Sequence, residues 1–433
     1  MRLRCALTSL ASATALAAAL LGAAAAQAAD LTVWGFQAFN PQADQYIAQL
    51  VKEFGKAKGI DAEYVLAPPT VISQRLAAAL QGGGTFPDVF MQSSQRAQFY
   101  IGRNLTAPLD DVLAELRKVP GGIFENQLAT GRHQGEQHAL PLEVDVSPVF
   151  TRKDLLDEVG KQPPTTWDEL REAAKLIQAK HPNMGALGLT VSNTSDAEGQ
   201  IRNLIWSFGG KMMAEDGATV VFDSPETRAA YQFVADIFLN DRTIPRASLT
   251  WDDTGNNIAY QTGRSAFVIN PPSIYYWMLE NDPRLLANSL LLSIPKGPGP
   301  KGQVGNIVSS WVWLVAKQSK HPDWARDFLR YFYEPARYQA VIEKVGGRWL
   351  PIYPAMLDQS PLFAGNPHFS NFRKLAEEGF VDGYAGPPNL LAGRVWDANI
   401  LTKVLHKVLI DKSPVADAVI WGQKEIEKLA KAP

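Results

Sequence analysis

The sequence predicts an α/β protein with two domains, and three observations carry that reading. The chain opens in strand, helix, strand, helix, strand order. Capped amphipathic helices and short strands continue beyond it. Its 433 residues leave room for two full hydrophobic cores.

The first strand is LTVWGF, Leu31 to Phe36. Asn40-Pro41 then supplies an N-cap and a proline at the first helical position. Ile47, Leu50, Val51 and Phe54 follow at i, i+3, i+4 and i+7, so one stripe of that helix faces a core. A strand, AEYVLA, precedes a second helix that carries Ile72, Leu76, Ala79 and Leu80 on one face. The glycines Gly82 to Gly84 end that helix and lead to PDVFMQ, Pro87 to Gln92, read as the third strand. This order gives a mostly parallel sheet with helices on both sides, and ligands of such sheets sit beyond the carboxyl ends of the strands. Those ends are Phe36-Gln37 and Gln92-Ser93, which makes all four candidate ligand contacts.

The second half uses the same style. Thr166-x-x-Glu169 is a capping box opening a helix with Leu170, Ala173, Ala174 and Ile177. Ser224-Pro225 caps another, with Phe233, Val234, Ile237 and Phe238 on its buried side. RSAFVIN, Arg264 to Asn270, reads as a strand stopped by Pro271-Pro272. His321-Pro322 leads into a helix whose Trp324, Phe328, Tyr331 and Phe332 share a face, with Gly346-Gly347 as the stop.

The first 28 residues read as a secretory leader: Arg2 and Arg4, then an uncharged Ala/Leu run, then Ala26-Gln27-Ala28 as an A-x-A cleavage site. Length alone would permit a membrane anchor, but the small-residue end and the polar sequence after it suit cleavage. Cys5 is the chain's single cysteine and lies in the leader, so the exported chain carries no thiol. Removing the leader takes the balance from 42 basic and 44 acidic residues to 40 and 44. A charge this small gives no field to draw nucleic acid or an anionic membrane.

Taken together, LTVWGF, GGGTFPDVF (Gly82 to Phe90), ALPLEVDVSPVFTRKDLLDEVG (Ala139 to Gly160), PPTTWDELREAAKLI (Pro163 to Ile177), IWSFGGKM (Ile205 to Met212), YQTGRSAFVINPPS (Tyr260 to Ser273) and SSWVWLVAKQSKHPDWARDFLRYF (Ser309 to Phe332) stand in a specific order and spacing. In these segments the sequence resembles the extracellular solute-binding proteins of bacterial ABC importers, in the carbohydrate-binding branch that includes maltose-binding protein. The resemblance implies a two-lobed periplasmic-binding-protein fold of type II, each lobe a mostly parallel sheet flanked by helices. A multi-crossing hinge joins the lobes, with crossings near Leu142 to Val146, Ile294-Pro295 and Leu350-Pro351. Lobe one then spans 29–143 plus 295–350, and lobe two 144–294 plus 351–433. The ligand is a sugar or sugar derivative held between the lobes, the partner an ABC permease, the location the periplasm, and the state monomeric. No cofactor, metal or nucleic acid is expected.

A protein that grips a sugar supplies a flat aromatic surface for its C–H faces and planar hydrogen-bonding groups for its hydroxyls. Trp311 and Trp313 stand two apart on a strand and therefore share a face. The resemblance puts this strand in lobe one with its start at the cleft, which makes Trp311, directly behind Ser309 and Ser310, the expected stacking residue, with both serines beside the ligand and Trp313 one layer deeper. Asp145, in the first crossing, is the carboxylate expected to accept paired hydroxyl donors. Trp251 and Asp252 lie in a polar loop, and Trp277 follows the Pro271-Pro272 stop; all three are expected at the cleft. Arg348, and Arg394 near Trp396, are each candidates to fork onto hydroxyls or an anionic substituent. Trp206 is left open between core and cleft.

Catalysis is the rival class. Glu143 and Asp145 share one strand face and flank nothing, whereas a glycoside hydrolase needs its two carboxylates on opposite sides of a substrate. The histidines are scattered with no HExxH, and G-x-S-x-G is absent. The sequence therefore reads as a binding protein without chemistry; the more distant alternative is a binding protein for polyamines or other non-sugar solutes, which would show a denser carboxylate lining.

Overall fold

The computed structural model describes residues 29–38, 40–82 and 85–432. The expected leader, 1–28, lies outside them, as do Gly83 and Gly84 of the glycine run.

Strand β1 (Leu31–Phe36) leads to α1 (Pro41–Lys58). The Asn40 side chain caps that helix by accepting from the N–H groups of Gln42 and Ala43, and Gly59 ends it in the left-handed region at φ 69°. Next come β2 (Ala62–Ala67), α2 (Pro69–Leu80), β3 (Val89–Ser93) and α3 (Ser94–Gly102). Three short strands follow: β4 (Ala139–Pro141), β5 (Asp145–Val146) and β6 (Val149–Arg152). The capping box at Thr166 and Glu169 opens α4 (Trp167–Lys180), and Thr194 caps α5 (Ser195–Ser207). Beyond these lie β7 (Phe267–Ile269), α6 (Ser273–Asn281) and β8 (Ser289–Leu292). The chain then forms β9 (Val308–Ser309), β10 (Trp311–Val315) and α7 (Pro322–Phe332). Near its end stand α8 (Leu390–Asp397), α9 (Ile400–Leu409) and α10 (Val415–Lys431).

The larger sheet has the order β2-β1-β3-β10-β4. Its β1 pairs parallel with β2 and β3, as the opening order requires, while β10 runs antiparallel to both β3 and β4. The reversal arises because β10 enters this sheet only after the chain has returned from the second body. The smaller sheet, β8-β6-β7, is antiparallel throughout its named strands, and Leu187 adds a parallel bridge to Phe267. The two-lobed α/β class stands, but its sheets are mixed rather than mostly parallel.

The larger sheet anchors one core, and the smaller sheet serves two, giving Phe150, Val268 and Leu291 to the first and Val149, Phe267 and Ile269 to the second. In the first, Trp313 is fully buried and meets Phe328 and Phe332 edge to face at 6.2 and 5.7 Å. In the second, fully buried Trp206 sits edge-on to Phe380 and Tyr384, which settles it as a core residue. Trp167 seals the base of α4 by donating from Nε1 to Ser207 Oγ at 2.7 Å. Among the described residues no helix is long and apolar enough to cross a membrane.

Two boundaries differ from the sequence expectation. The turn after Ile294 stays with the second core, because Lys296 pairs with Thr166 and the Gln303 N–H donates to the Ser207 carbonyl at 2.9 Å. The chain passes instead at Ile307–Val308, whose side chains belong to the second and first cores respectively. Ile352 to Ala376, expected with lobe two, pack in the first core through Tyr353, Phe363, Phe369 and Phe372. The crossings lie side by side: β5 pairs antiparallel with β9, matching Asp145 to Ser309, and Val144 bridges Leu350.

Candidate ligand-binding cleft

A cavity of about 460 Å³ lies where the two cores face each other, within the size range of small-molecule sites. The first core contributes Phe36 and the end of β3, Gln92 and Ser93. The crossing strands contribute Asp145, Ser309 and Ser310, and β10 contributes Trp311. Helix α5 supplies Asp196 and Asn203 from the opposite side, the loop before Gly255 supplies Asp253, and α8 supplies Trp396.

Trp311 is held by its neighbours rather than by chance rotamer preference. Its N–H donates to Glu143 Oε1 at 2.6 Å, and its carbonyl accepts from the Leu142 N–H at 2.7 Å. Phe36 and Trp349 meet its ring edge to face at 5.2 and 5.4 Å. The ring stays half-buried, with part of it bordering the cavity, whereas Trp313 on the same strand face is sealed in the core.

Trp396 is supported from beneath. The fully buried Arg202 guanidinium lies 4.8 Å from its ring, and Arg202 is itself paired with buried Asp382 and lies 3.6 Å from Glu198. Gly199 lies beside the ring, where a Cβ would meet Trp396 Cη2 at an ordinary contact distance of 3.5 Å.

The cleft is bridged at its rim. Gly393 of α8 lies so close to α3 that an added Cβ would be 2.4 Å from the Gln95 carbonyl oxygen. Beside that contact Arg96 Nε meets Asp397 Oδ1 at 2.5 Å.

Residues 38–338 match the family model of the bacterial extracellular solute-binding proteins. The chain belongs to that family. This solute-binding protein is 26% identical over 376 residues to the lactose-binding protein of Rhizobium radiobacter, spanning 82% of this chain and 84% of that one. Its fold agrees with that of maltose-bound MalE3 of T. maritima, at a TM-score of 0.77 and 20% identity over 92% of this chain and 99% of that one. The ribitol-bound solute-binding protein of Agrobacterium radiobacter K84 superposes with a TM-score of 0.76 at 18% identity, over 92% and 98% of the two chains.

The structure brings together nine of the residues singled out in the sequence: Phe36, Gln92, Ser93, Asp145, Ser309, Ser310, Trp311, Arg348 and Trp396 all border the cavity. Five stand outside its lining. The Gln37 N–H pairs with the Ala67 carbonyl at 3.1 Å, continuing the sheet past the cavity wall. Trp251 packs over Gly255, where a Cβ would lie 2.4 Å from its ring, so it props the start of a short helix. Asp252 is exposed and accepts from the Thr254 N–H and hydroxyl; its neighbour Asp253 is the one that turns inward. Trp277, on α6, packs against the first core. Arg394 donates to the carbonyls of Leu429 and Ala432 and thereby secures the last helix.

The sequence reading missed Asp196, Asp253 and Asn203. Thr194, an N-cap in SNTSDAEG, was the available signal, since it opens a helix whose first turn points at the cavity. Burial pushes the Asp196 carboxyl up to about 8, with the charge of Asp253 adding to the effect and a hydrogen bond from Asn256 opposing it. Burial likewise lifts Asp145 to about 7 against the opposing pull of Arg348. Glu143 rises well above the usual carboxylate range, through burial first and the Asp145 charge second. Burial lowers Arg348, and Asp145, Glu143, Asp44 and Asp196 counter it. Among the described residues no group of three or more His, Cys, Asp or Glu could hold a metal ion.

Proposed function

We propose that this protein is the periplasmic substrate-binding component of an ABC-type sugar importer. It captures a sugar or sugar derivative between its lobes and delivers it to the permease, without chemistry on the bound molecule. The observation that carries the reading is that Trp311 from one core and Trp396 from the other line the same cavity. Two flat apolar faces with hydrogen-bonding groups between them fit the alternating C–H and O–H surface of a sugar ring. The relatives that bind lactose, maltose and ribitol support the same class.

The protein acts as a monomer in this reading. Lobe one comprises 29–143 together with the chain from Val308 through Ala376; lobe two comprises 144–307 and the chain from Leu390 onward. The ligand draws the lobes together by binding the closed arrangement better than the open one. Glu143 supports the absence of catalysis: it is 2% exposed and holds the Trp311 N–H, so it is occupied with positioning.

A thermal-shift screen of the leaderless protein against neutral sugars, polyols, amino sugars and acidic sugars tests the reading. A ligand at a hundredfold excess over its Kd adds about 2.7 kcal/mol, enough to raise Tm by several degrees. A hit recovered unchanged is expected. No hit, or a hit that is consumed, would overturn the proposal.

A further inference from the structure

The cleft carries an uneven charge. Among the described residues that line it, Arg96 pairs with Asp397 at the rim, and Arg348 faces Asp145 and Asp196. Glu143 and Asp44 act on Arg348 as well. The unsatisfied polar atoms lean the same way. Gln92 is fully buried and its Oε1 has no partner, and Asp145 Oδ1 has none either; the Ser310 hydroxyl, on a residue 1% exposed, also lacks one and can donate or accept. Asn203 Nδ2 is the opposing unpartnered donor. The lining thus asks its ligand for N–H or O–H donors and for positive charge. Closing carboxylates away from water without a counter-charge is costly, and the Trp311 and Trp396 rings that border the same space favour a cation over an anion.

Resting on the sugar-binding reading above, we propose that the natural ligand is an amino sugar, or an oligosaccharide of one, whose protonated amine sits between Asp145 and Asp196. Acidic sugars, which the arginines read from sequence kept open, are disfavoured: Arg394 is engaged elsewhere and Arg348 is surrounded by carboxylates. The empty-site chemistry agrees. Asp196 faces Asp253, Asp145 and Arg348 and accepts from Asn256; Asp145 faces Arg348 and Glu143. With burial holding both carboxyls partly protonated near neutrality, an ammonium placed between them favours their ionised forms, and binding releases protons to solvent.

The test is isothermal calorimetry of the leaderless full chain, at neutral pH and in two buffers of different ionisation enthalpy. Glucosamine, galactosamine and mannosamine and their disaccharides are each compared with the N-acetylated and the unaminated counterpart. The expected result is that, in at least one set, the aminated member binds more tightly by roughly tenfold or more, since charged hydrogen bonds are about twice as strong as neutral ones, with net proton release. Asp196→Asn is expected to shrink that advantage. Asp253→Asn, at an exposed position, provides the same readout should the first variant fold poorly. A neutral or acetylated sugar binding as tightly as its aminated partner would overturn this inference and leave the sugar-binding reading standing. Failure of every sugar in both series would overturn the two together.

Discussion

Replacing Gly393 with alanine separates the closing of the cleft from the stability of the fold. Gly393 lies inside α8 with ordinary helical geometry, so alanine there stabilises the helix by about 0.5 to 1 kcal/mol whether the lobes are together or apart. Across the rim the effect has the opposite sign. The added methyl would stand 2.4 Å from the Gln95 carbonyl oxygen, which belongs to backbone and cannot swing aside. The two helices must move apart by about an ångström to restore van der Waals distance, and overpacking of this kind costs about 1 to 3 kcal/mol. Since that cost falls on the closed arrangement alone, Kd rises by roughly 5- to 150-fold, at about 1.4 kcal/mol per tenfold. Calorimetry with the sugar found in the thermal screen measures the first effect. Small-angle scattering of the unliganded variant, with a radius of gyration above the wild-type value, measures the second. The reasoning fails if Gly393→Ala binds with unchanged Kd while its scattering curve superposes on that of the parent.

Trp311→Ala removes the half-buried ring on the first-lobe side; affinity is expected to fall by roughly tenfold or more in calorimetry while the circular dichroism spectrum is retained. Trp313→Ala empties a sealed position between Phe328 and Phe332 and is expected to cost about 3 to 5 kcal/mol in denaturant unfolding, the reverse of the Trp311 pattern. For Asp145 and Asp196, the pKa values in the folded protein stand above the ordinary 3.8, so protonated carboxyls favour the closed, folded state. That contribution is whole at acid pH and is lost as pH rises through about 7 and 8. Asp196→Asn is therefore expected to flatten the decline in Tm of the unliganded protein as pH rises from 3.8 to about 8, and an unchanged slope would count against the burial of this group.

What the sequence revealed follows the range of the forces involved. The Asn40 cap, the Thr166–Glu169 box and the stripe of Ile47, Leu50, Val51 and Phe54 are local signals, readable because helix geometry repeats over a few residues. Gln92 and Ser93, at the carboxyl end of β3, were readable as well, because ligands of such sheets sit beyond those ends, whereas Trp311, at the start of the antiparallel β10, was placed by the family resemblance. Asp196 and Asp253 were invisible as a pair: 57 residues separate them, and only the hydrogen bond from the Asp196 N–H to Asp253 Oδ1, at 3.1 Å, joins them. Asp252 and Asp253 were distinguishable only by which of the two folds back on Thr254. The crossing at Ile307–Val308 was misplaced for a related reason. The Pro/Gly-rich turn at Pro295 to Gly302 looks like a boundary in composition, yet its Lys296 backbone is pinned to Thr165 and Trp167 by long-range hydrogen bonding that composition does not encode.

The ladder joining Asp145 to Ser309 places cleft-lining residues on the very strands that cross between the lobes. Points on a pivot travel least when two arms swing. Asp145, Ser309 and the adjoining Ser310 therefore hold nearly the same positions whether the arms are spread or shut, while Asp196 and Trp396 sweep inward. Recognition then has a built-in order: the incoming molecule docks at the axle, and the distal groups arrive afterwards. Changes at the axle should register as slower capture. Changes at Gly393 or the Arg96–Asp397 contact should register as shorter residence, so that one protein carries separate controls for how fast its cargo is picked up and how long it is kept.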